Sequence, residues 1–312
     1  VGDTPASSPW KAHLALWGVG LIYAYNYLVA KGLMPDKIGP SGFIALRVAG
    51  ATPLFWLLYV FRWERVARAD LARLWLCGLT GVTINQLLFF NGLAATSPVH
   101  ASIIMTINPV LVLLISAALL GTAITSRKVA GIALGAAGAI TLLLNSGGGG
   151  LESHASWQGD LMVLLNAASY GVYLVAVKPL MAKYRPLTVI SWVFLFGGLM
   201  AFPAGAAQAA AIEWSTFSTQ DWLSVAFVVL FTTFLVYLLN IYALGKVQPT
   251  VVSIYIYLQP LLVGGMVWLA STLGGADYMA DMGWLQACCA VVIALGVWLV
   301  SVPAGGVQRL GR

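Results

Sequence analysis

The chain has 312 residues, of which 60% are hydrophobic and only 8% charged, with a formal net charge of +6. An ordinary soluble domain carries roughly 25% charged residues, so a fold this apolar cannot cover its surface with polar groups and must be solvated by lipid. The same figures exclude intrinsic disorder, which needs low hydrophobicity and high net charge. The 16 basic residues are dispersed and form no dense stripe for nucleic acid.

A helix needs about 20 apolar residues to cross the hydrocarbon core. That rule predicts ten spans, over residues 12–31, 41–61, 71–92, 98–120, 126–145, 157–178, 186–206, 221–244, 250–272 and 282–302. Pro35, Pro40, Pro98, Gly121, Pro186, Pro249 and the pair Gly274-Gly275 punctuate the junctions. Between the second and third spans, Arg62 to Trp75 alternates arginines with apolar residues. It reads either as an interfacial helix on the inner leaflet or as a basic loop. Gly131, Gly135 and Gly138 place small residues on the fifth span, a pattern that licenses close helix packing, expected here within the chain. The glycine run at 147–150 lies in a linker, 146–156, between a first half (11–145) and a second (157–302). Cys77, Cys288 and Cys289 sit in apolar runs without disulfide or zinc spacing, and no metal or cofactor is expected.

Orientation follows from the basic residues near span ends. With the N-terminus cytoplasmic, 13 of the 16 fall inside: Lys11, Arg62, Arg65, Arg68, Arg73, Arg127, Lys128, Lys178, Lys183, Arg185, Lys246, Arg309 and Arg312. Lys31 and Lys37 fall outside and Arg47 within a span, while most acids lie on the outer side. Both termini are therefore expected in the cytoplasm of a multi-pass inner-membrane protein.

The halves resemble each other. Tyr27-Leu28-Val29-Ala30-Lys31 recurs as Tyr173-Leu174-Val175-Ala176 with Lys178, and the stretch from Pro98 to Pro109 is answered by Pro249 to Pro260. In the second pair Ser102 matches Ser253 and Asn108-Pro109 matches Gln259-Pro260. A unit of five spans is odd, so its second copy must enter the membrane inverted, an arrangement found in secondary transporters. The fold class expected is all-α and integral to the membrane, with ten transmembrane helices in two inverted five-helix repeats.

These features resemble the EamA-type branch of the drug/metabolite transporter superfamily over residues 11–302. The resemblance is carried by the run from Pro109 to Ser116, the glycine-rich fifth helix, the block Asn85 to Leu93, and Tyr255-Ile-Tyr-Leu-Gln-Pro260. It implies a carrier of small metabolites such as amino acids. One feature departs from the family: members commonly carry a Gly-Glu pair after the fourth and ninth spans, where this chain has Gly121-Thr122 and Gly274-Gly275-Ala276.

Polar residues inside spans are the candidate site. Arg47 is the one charge well inside a span; a buried cation costs at least ~2.5 kcal/mol and usually faces a cavity or partner. It suits a substrate carboxylate or phosphate; the alternatives are snorkelling to the outer headgroups or pairing with Asp36. Asn108 and Gln259 each precede a proline, which removes a backbone donor and loosens the helix, and they match between repeats. Asn26, Asn85, Asn166 and other amides bridge helices by default. Of these, Asn26 and Asn85 join the candidate list, with Tyr170, Trp17 two turns into the first span, and Tyr255, four residues before Gln259 on a shared helical face. His100 reads as a proton relay or a hydrogen-bonded structural histidine.

The expected function is a secondary transporter, an exporter or exchanger, moving a small polar or amphipathic metabolite by alternating access. Its expected partners are the lipid bilayer and a small-molecule substrate, without nucleic acid, as a monomer or homodimer. The alternatives are a channel, which would want a charged ring or carbonyl filter, and a non-transport membrane protein. An enzyme would need a metal cluster or a paired acid and base, and the acids lie in tails, loops or span ends. With no acid expected in the interior, facilitated diffusion or exchange is favoured over proton coupling.

Overall fold

The computed structural model describes residues 9–121, 124–145, 154–244, 246, 255–275 and 277–301, and among them all regular structure is helical. The helices are α1 (Pro9–Leu33), α2 (Pro40–Val60), α3 (Arg68–Gly78), α4 (Ile84–Ala95), α5 (Pro98–Met105), α6 (Asn108–Leu120), α7 (Ser126–Leu144), α8 (Trp157–Lys183), α9 (Pro186–Ala210), α10 (Thr219–Phe227), α11 (Val236–Leu244), α12 (Gln259–Thr272) and α13 (Trp284–Ser301). Helix is what lipid demands, because every backbone polar group must be satisfied within the segment. Each stretch expected to span is helical over most of its described residues. Among the described residues six helices are long and apolar enough to cross a bilayer, and α5 with α6, bent by 41°, makes a seventh if the pair is one span.

Local chemistry sets the ends. Proline opens α2, α5 and α9, where its missing N–H costs nothing. Ser97, Thr125 and Ser156 cap α5, α7 and α8 by accepting a backbone N–H, and Ser218 with Asp221 forms a capping box on α10. Gly121 and Gly274 end α6 and the turn after α12 at φ of +65° and +77°, a conformation other residues rarely adopt.

Two long helices are widened by π turns. Leu79–Thr83 joins α3 to α4, and Val228–Leu235 joins α10 to α11. The helix begins at Arg68, so the stretch Arg62 to Trp75 is neither a separate interfacial helix nor wholly a loop: residues 63–67 are irregular and the rest starts α3. The glycine run at 147–150 lies outside the described residues.

Glycines bring the helices together. A Cβ on Gly131 would lie 2.5 Å from the Gly296 carbonyl oxygen, and one on Gly138 2.7 Å from Ile293, so the glycine face of α7 packs on α13 within the chain. Gly42, Gly198 and Gly205 join α2 to α9, Gly78 and Gly197 join α3 to α9, and Gly92 and Gly159 join α4 to α8. Helix α1 packs on α11 and α12, and α6 on α8. Phe55, Phe90 and Phe194 are fully buried in the main core, while Leu261, Leu273 and Trp284 are largely exposed, as lipid-facing side chains are.

The structure corrects the expected placement of two acids. Their chain positions put Asp160 and Asp281 at exposed span ends, yet they are 0% and 1% exposed. Both sit beside the junction of α4 and α5, where neighbouring helix ends cover them.

Candidate functional site

Arg47 lies in the middle of α2 and is 6% exposed. Its Nε donates to the Thr233 hydroxyl at 2.5 Å, and its guanidinium carbon is 4.9 Å from the centre of the Phe90 ring. Thr233 belongs to the π stretch between α10 and α11, and its hydroxyl donates to the Val228 carbonyl five residues back, at 2.9 Å. The widened turn thus orients the hydroxyl that receives Arg47; such π turns recur at functional sites. No carboxylate among the described residues lies within 4 Å of the guanidinium, so Arg47 does not pair with Asp36. Nor does it snorkel, being buried.

Around Arg47 the walls are phenolic. Tyr23 and Tyr237 are in electrostatic reach of it, and Tyr170 and Tyr173 complete a group of hydroxyls interacting with one another. Tyr170 and Tyr173 have ring centroids 5.6 Å apart. All four are half-buried, and Tyr173 and Tyr237 pack against the main core. A groove of about 310 Å³ between α1 and α10 is lined by Tyr25, Gln220, Leu223, Phe227 and Phe231 and contains none of the expected residues.

The amides supply the second component. Asn26 in α1, Gln86 in α4, Asn108 at the start of α6 and Asn166 in α8 are buried, and the side-chain oxygen of each has no hydrogen-bond partner; the Thr232 hydroxyl is in the same state. A buried polar atom left unpaired costs about 1–3 kcal/mol, and native proteins hold few of them. Orphaned acceptors on four helices that pack in sequence, α1 on α4, α4 on α8 and α8 on α6, suit a polar ligand or water. Asn166 also donates to the Asn85 carbonyl at 2.6 Å, which fixes where its amide points; Asn85 itself contributes backbone there.

Other expected residues are placed differently. Asn108 opens α6 directly after the break that ends α5, and Gln259 opens α12 directly after the turn Tyr255–Leu258, with Asn108 3% and Gln259 9% exposed. Tyr255 does not share a face with Gln259, because Tyr255–Leu258 is a 3₁₀ turn in which the four-residue spacing of an α-helix fails. Tyr255 instead hydrogen-bonds His13 at 2.8 Å and packs its ring edge-on against Trp17, in a satellite cluster with Ala12, Leu16 and Ala243. Trp17 is 44% exposed and so faces outward more than inward.

Sequence reasoning missed Thr233, Phe90, Tyr23 and Tyr237. Tyr23 precedes Asn26 by three residues, a helical-face signal present in the sequence; the other three are recognisable only from packing. It also missed Asp160, whose Oδ2 meets His100 Nδ1 at 2.8 Å and whose Oδ1 accepts from Thr96 at 2.5 Å.

Comparison with known proteins agrees with this architecture. A profile described as the EamA-like transporter family matches residues 10–144 and again 157–302. An "Uncharacterized transporter" of Archaeoglobus fulgidus is 25% identical over 76% of this chain and 82% of its own. A "Probable terminal-alkyne amino-acid exporter" of Streptantibioticus cattleyicolor is 29% identical over 77% of this chain and 69% of its own. The "Uncharacterized transporter YyaM" of Bacillus subtilis is 22% identical over 96% and 95%. One crystal structure, 19% identical, superposes over 99% of this chain and 100% of that chain with a TM-score of 0.60, a likeness of fold alone.

Proposed function

This chain belongs to the EamA-like transporter family, and from that premise we propose that it is a secondary carrier for a small polar or amphipathic metabolite bearing an anionic group, amino acids included. The observation that carries the substrate class is Arg47: a cation 6% exposed, held by one hydroxyl and one aromatic face, with no carboxylate partner among the described residues. A buried cation without a counter-ion is costly, and an anionic substrate would supply the missing charge. The orphaned amide oxygens would accept from an ammonium or hydroxyl on the same molecule.

The mechanism is alternating access between two inverted five-span repeats, ten spans in all. Helix pairing supports it. With span 3 formed by α3–α4, span 4 by α5–α6 and span 8 by α10–α11, the packing of span 2 on span 7 and of span 5 on span 10 maps onto itself when the halves are exchanged. Span 3 on span 6 answers span 8 on span 1, and span 4 on span 6 answers span 9 on span 1. The π turns, the helix starts at Asn108 and Gln259, and the left-handed glycines 121 and 274 also recur in corresponding places. The basic residues favour cytoplasmic termini in the inner membrane, and the named exporter among the relatives favours export or exchange. The relatives carry transporter names, in keeping with a carrier rather than an enzyme.

The test is counterflow in vesicles preloaded with unlabelled amino acids and supplied with a labelled mixture outside. Wild type should exchange, and Arg47→Gln and Asn108→Ala at wild-type abundance should not. Normal transport by both variants refutes the site; flux that neither saturates nor responds to internal amino acids refutes alternating access in favour of a channel. Ser146→Cys should react with an impermeant thiol reagent from outside, and labelling only from the cytoplasmic side overturns the orientation.

A further inference from the structure

A second buried polar assembly, sharing no hydrogen bond with Arg47, sits where α5, α8 and α13 meet. Asp160, in the first turn of α8, is fully buried and His100 of α5 is 1% exposed. Asp160 Oδ1 accepts from the Thr96 hydroxyl at 2.5 Å, and Oδ2 lies 2.8 Å from His100 Nδ1. The other ring nitrogen, Nε2, is 3.2 Å from the side-chain nitrogen of Gln286 in α13. Which end of Gln286 points there is settled by its own Oε1, which accepts the Gly283 N–H at 3.1 Å. An amide nitrogen only donates, so Nε2 must accept. In this arrangement the imidazole therefore carries its proton on Nδ1, directed at Asp160 Oδ2, and accepts at Nε2. A protonated imidazole offers two donors and no acceptor and would meet Gln286 donor to donor. Charging His100 thus requires the Gln286 amide to turn or α13 to withdraw.

We propose that His100 and Asp160 form a proton-binding site whose occupancy couples proton movement to the swing between the two halves of the carrier. The proton comes from a hydronium ion, whose O–H bond breaks as the His100 Nε2–H bond forms; the Gln286 hydrogen bond is lost and the pair gains one positive charge. His100 and Thr96 belong to the first half and Asp160 and Gln286 to the second, so protonation acts on a contact that alternating access must remake. Neither group reaches solvent here, which assigns proton exchange to the state in which these helices have parted. Among the described residues, these charged groups face the pair. From α1, Lys31 donates to the carbonyls of Leu93, Ala94 and Thr96 at 2.9, 2.7 and 2.7 Å. From the turn before α13, buried Asp281 accepts the His154 N–H at 3.4 Å and lies 3.7 Å from that ring, which packs on Tyr278. Helices α4, α6 and α12 bring no acid, base or histidine, and α13 brings only Cys288 and Cys289. The burial of Asp160 removes the ground on which the sequence favoured carriage without proton coupling.

The coupling rests on the carrier reading and the proton site does not, so two measurements separate them. In ¹⁵N-histidine spectra of the protein in nanodiscs, the His100 signal, identified by its loss in His100→Gln, should show the Nδ1–H tautomer at high pH and gain a second proton on acidification. Asp160→Asn, which keeps the side chain's size, should displace that titration. An imidazole that never charges while the protein stays folded overturns the site. In vesicles, a one-unit pH difference should drive labelled amino acids to about a tenfold concentration ratio per proton exchanged. In Asp160→Asn and His100→Gln the ratio should fall to about one while counterflow remains detectable. Wild-type counterflow without accumulation overturns the coupling and leaves the carrier reading standing. Absence of any wild-type counterflow overturns the carrier reading, and with it the coupling, and the spectra then decide the proton site alone.

Discussion

Replacing Arg47 by Met should hold or raise stability while abolishing binding, so that one substitution separates the two roles. Met matches much of the stem and removes the charge. On the stability side, burying an ion costs several kcal/mol after relaxation. Against this stand one hydrogen bond to Thr233, worth about 1.5–3 kcal/mol when charged, and the Phe90 face, worth roughly 0.5–2 kcal/mol. With no carboxylate partner, the balance should leave Arg47→Met as stable as wild type or about 1–4 kcal/mol more so, as when apolar residues replace other buried ionic groups. On the binding side, a carboxylate 4 Å from the guanidinium gains about 4 kcal/mol at an effective dielectric of 20. Truncating one partner of such a pair costs about 2–5 kcal/mol, so affinity should fall at least about 30-fold, each 1.4 kcal/mol being tenfold. Thermal unfolding of purified protein with a panel of amino acids and simple carboxylic acids reads both effects. The expected result is a midpoint that holds or rises without ligand and no longer shifts with the compound that stabilises wild type. A midpoint that drops while the ligand shift survives would mean that Arg47 is a structural residue and that the substrate charge is read elsewhere.

Two further outcomes follow from the packing. Gly131→Val should loosen α7 from α13, because even a Cβ there lies 2.5 Å from the Gly296 carbonyl oxygen and 2.8 Å from Val300; overpacking of this kind costs about 1–3 kcal/mol. Thermal unfolding checks it, and an unchanged midpoint would show that the helices part freely. Lys31→Met should cost at least about 2 kcal/mol, since three carbonyls at the end of α4 lose their donor; hydrogen exchange of the α4–α5 junction should rise with it, and unchanged protection would refute the capping role.

Much of the architecture is a local property and therefore legible in the chain. Whether a stretch is apolar for 20 residues depends on that stretch alone, so the helices fall where hydropathy places them. The amide–proline steps at Asn108 and Gln259 each begin an α-helix, because proline removes a donor from its own turn, whatever surrounds it. The glycines of α7 announce a close contact because a missing Cβ is useful chiefly where another backbone approaches.

The site divides along the same line. That Arg47 is buried follows from its depth in an apolar run, but its partners Thr233 and Phe90 lie 186 and 43 positions away and meet it only through the packing of three helices. Sequence spacing misplaces Tyr255 because a face shared at four residues presumes an α-helix, and the turn there is tighter. Asp160 has the sequence position of a solvated helix start. It is buried where it meets Thr96 and His100, 64 and 60 positions distant. Hydropathy ranks a residue by its own chemistry and that of its neighbours in the chain; whether a carboxylate meets water or a histidine is decided by which helix ends converge on it, and only the tertiary structure holds that information.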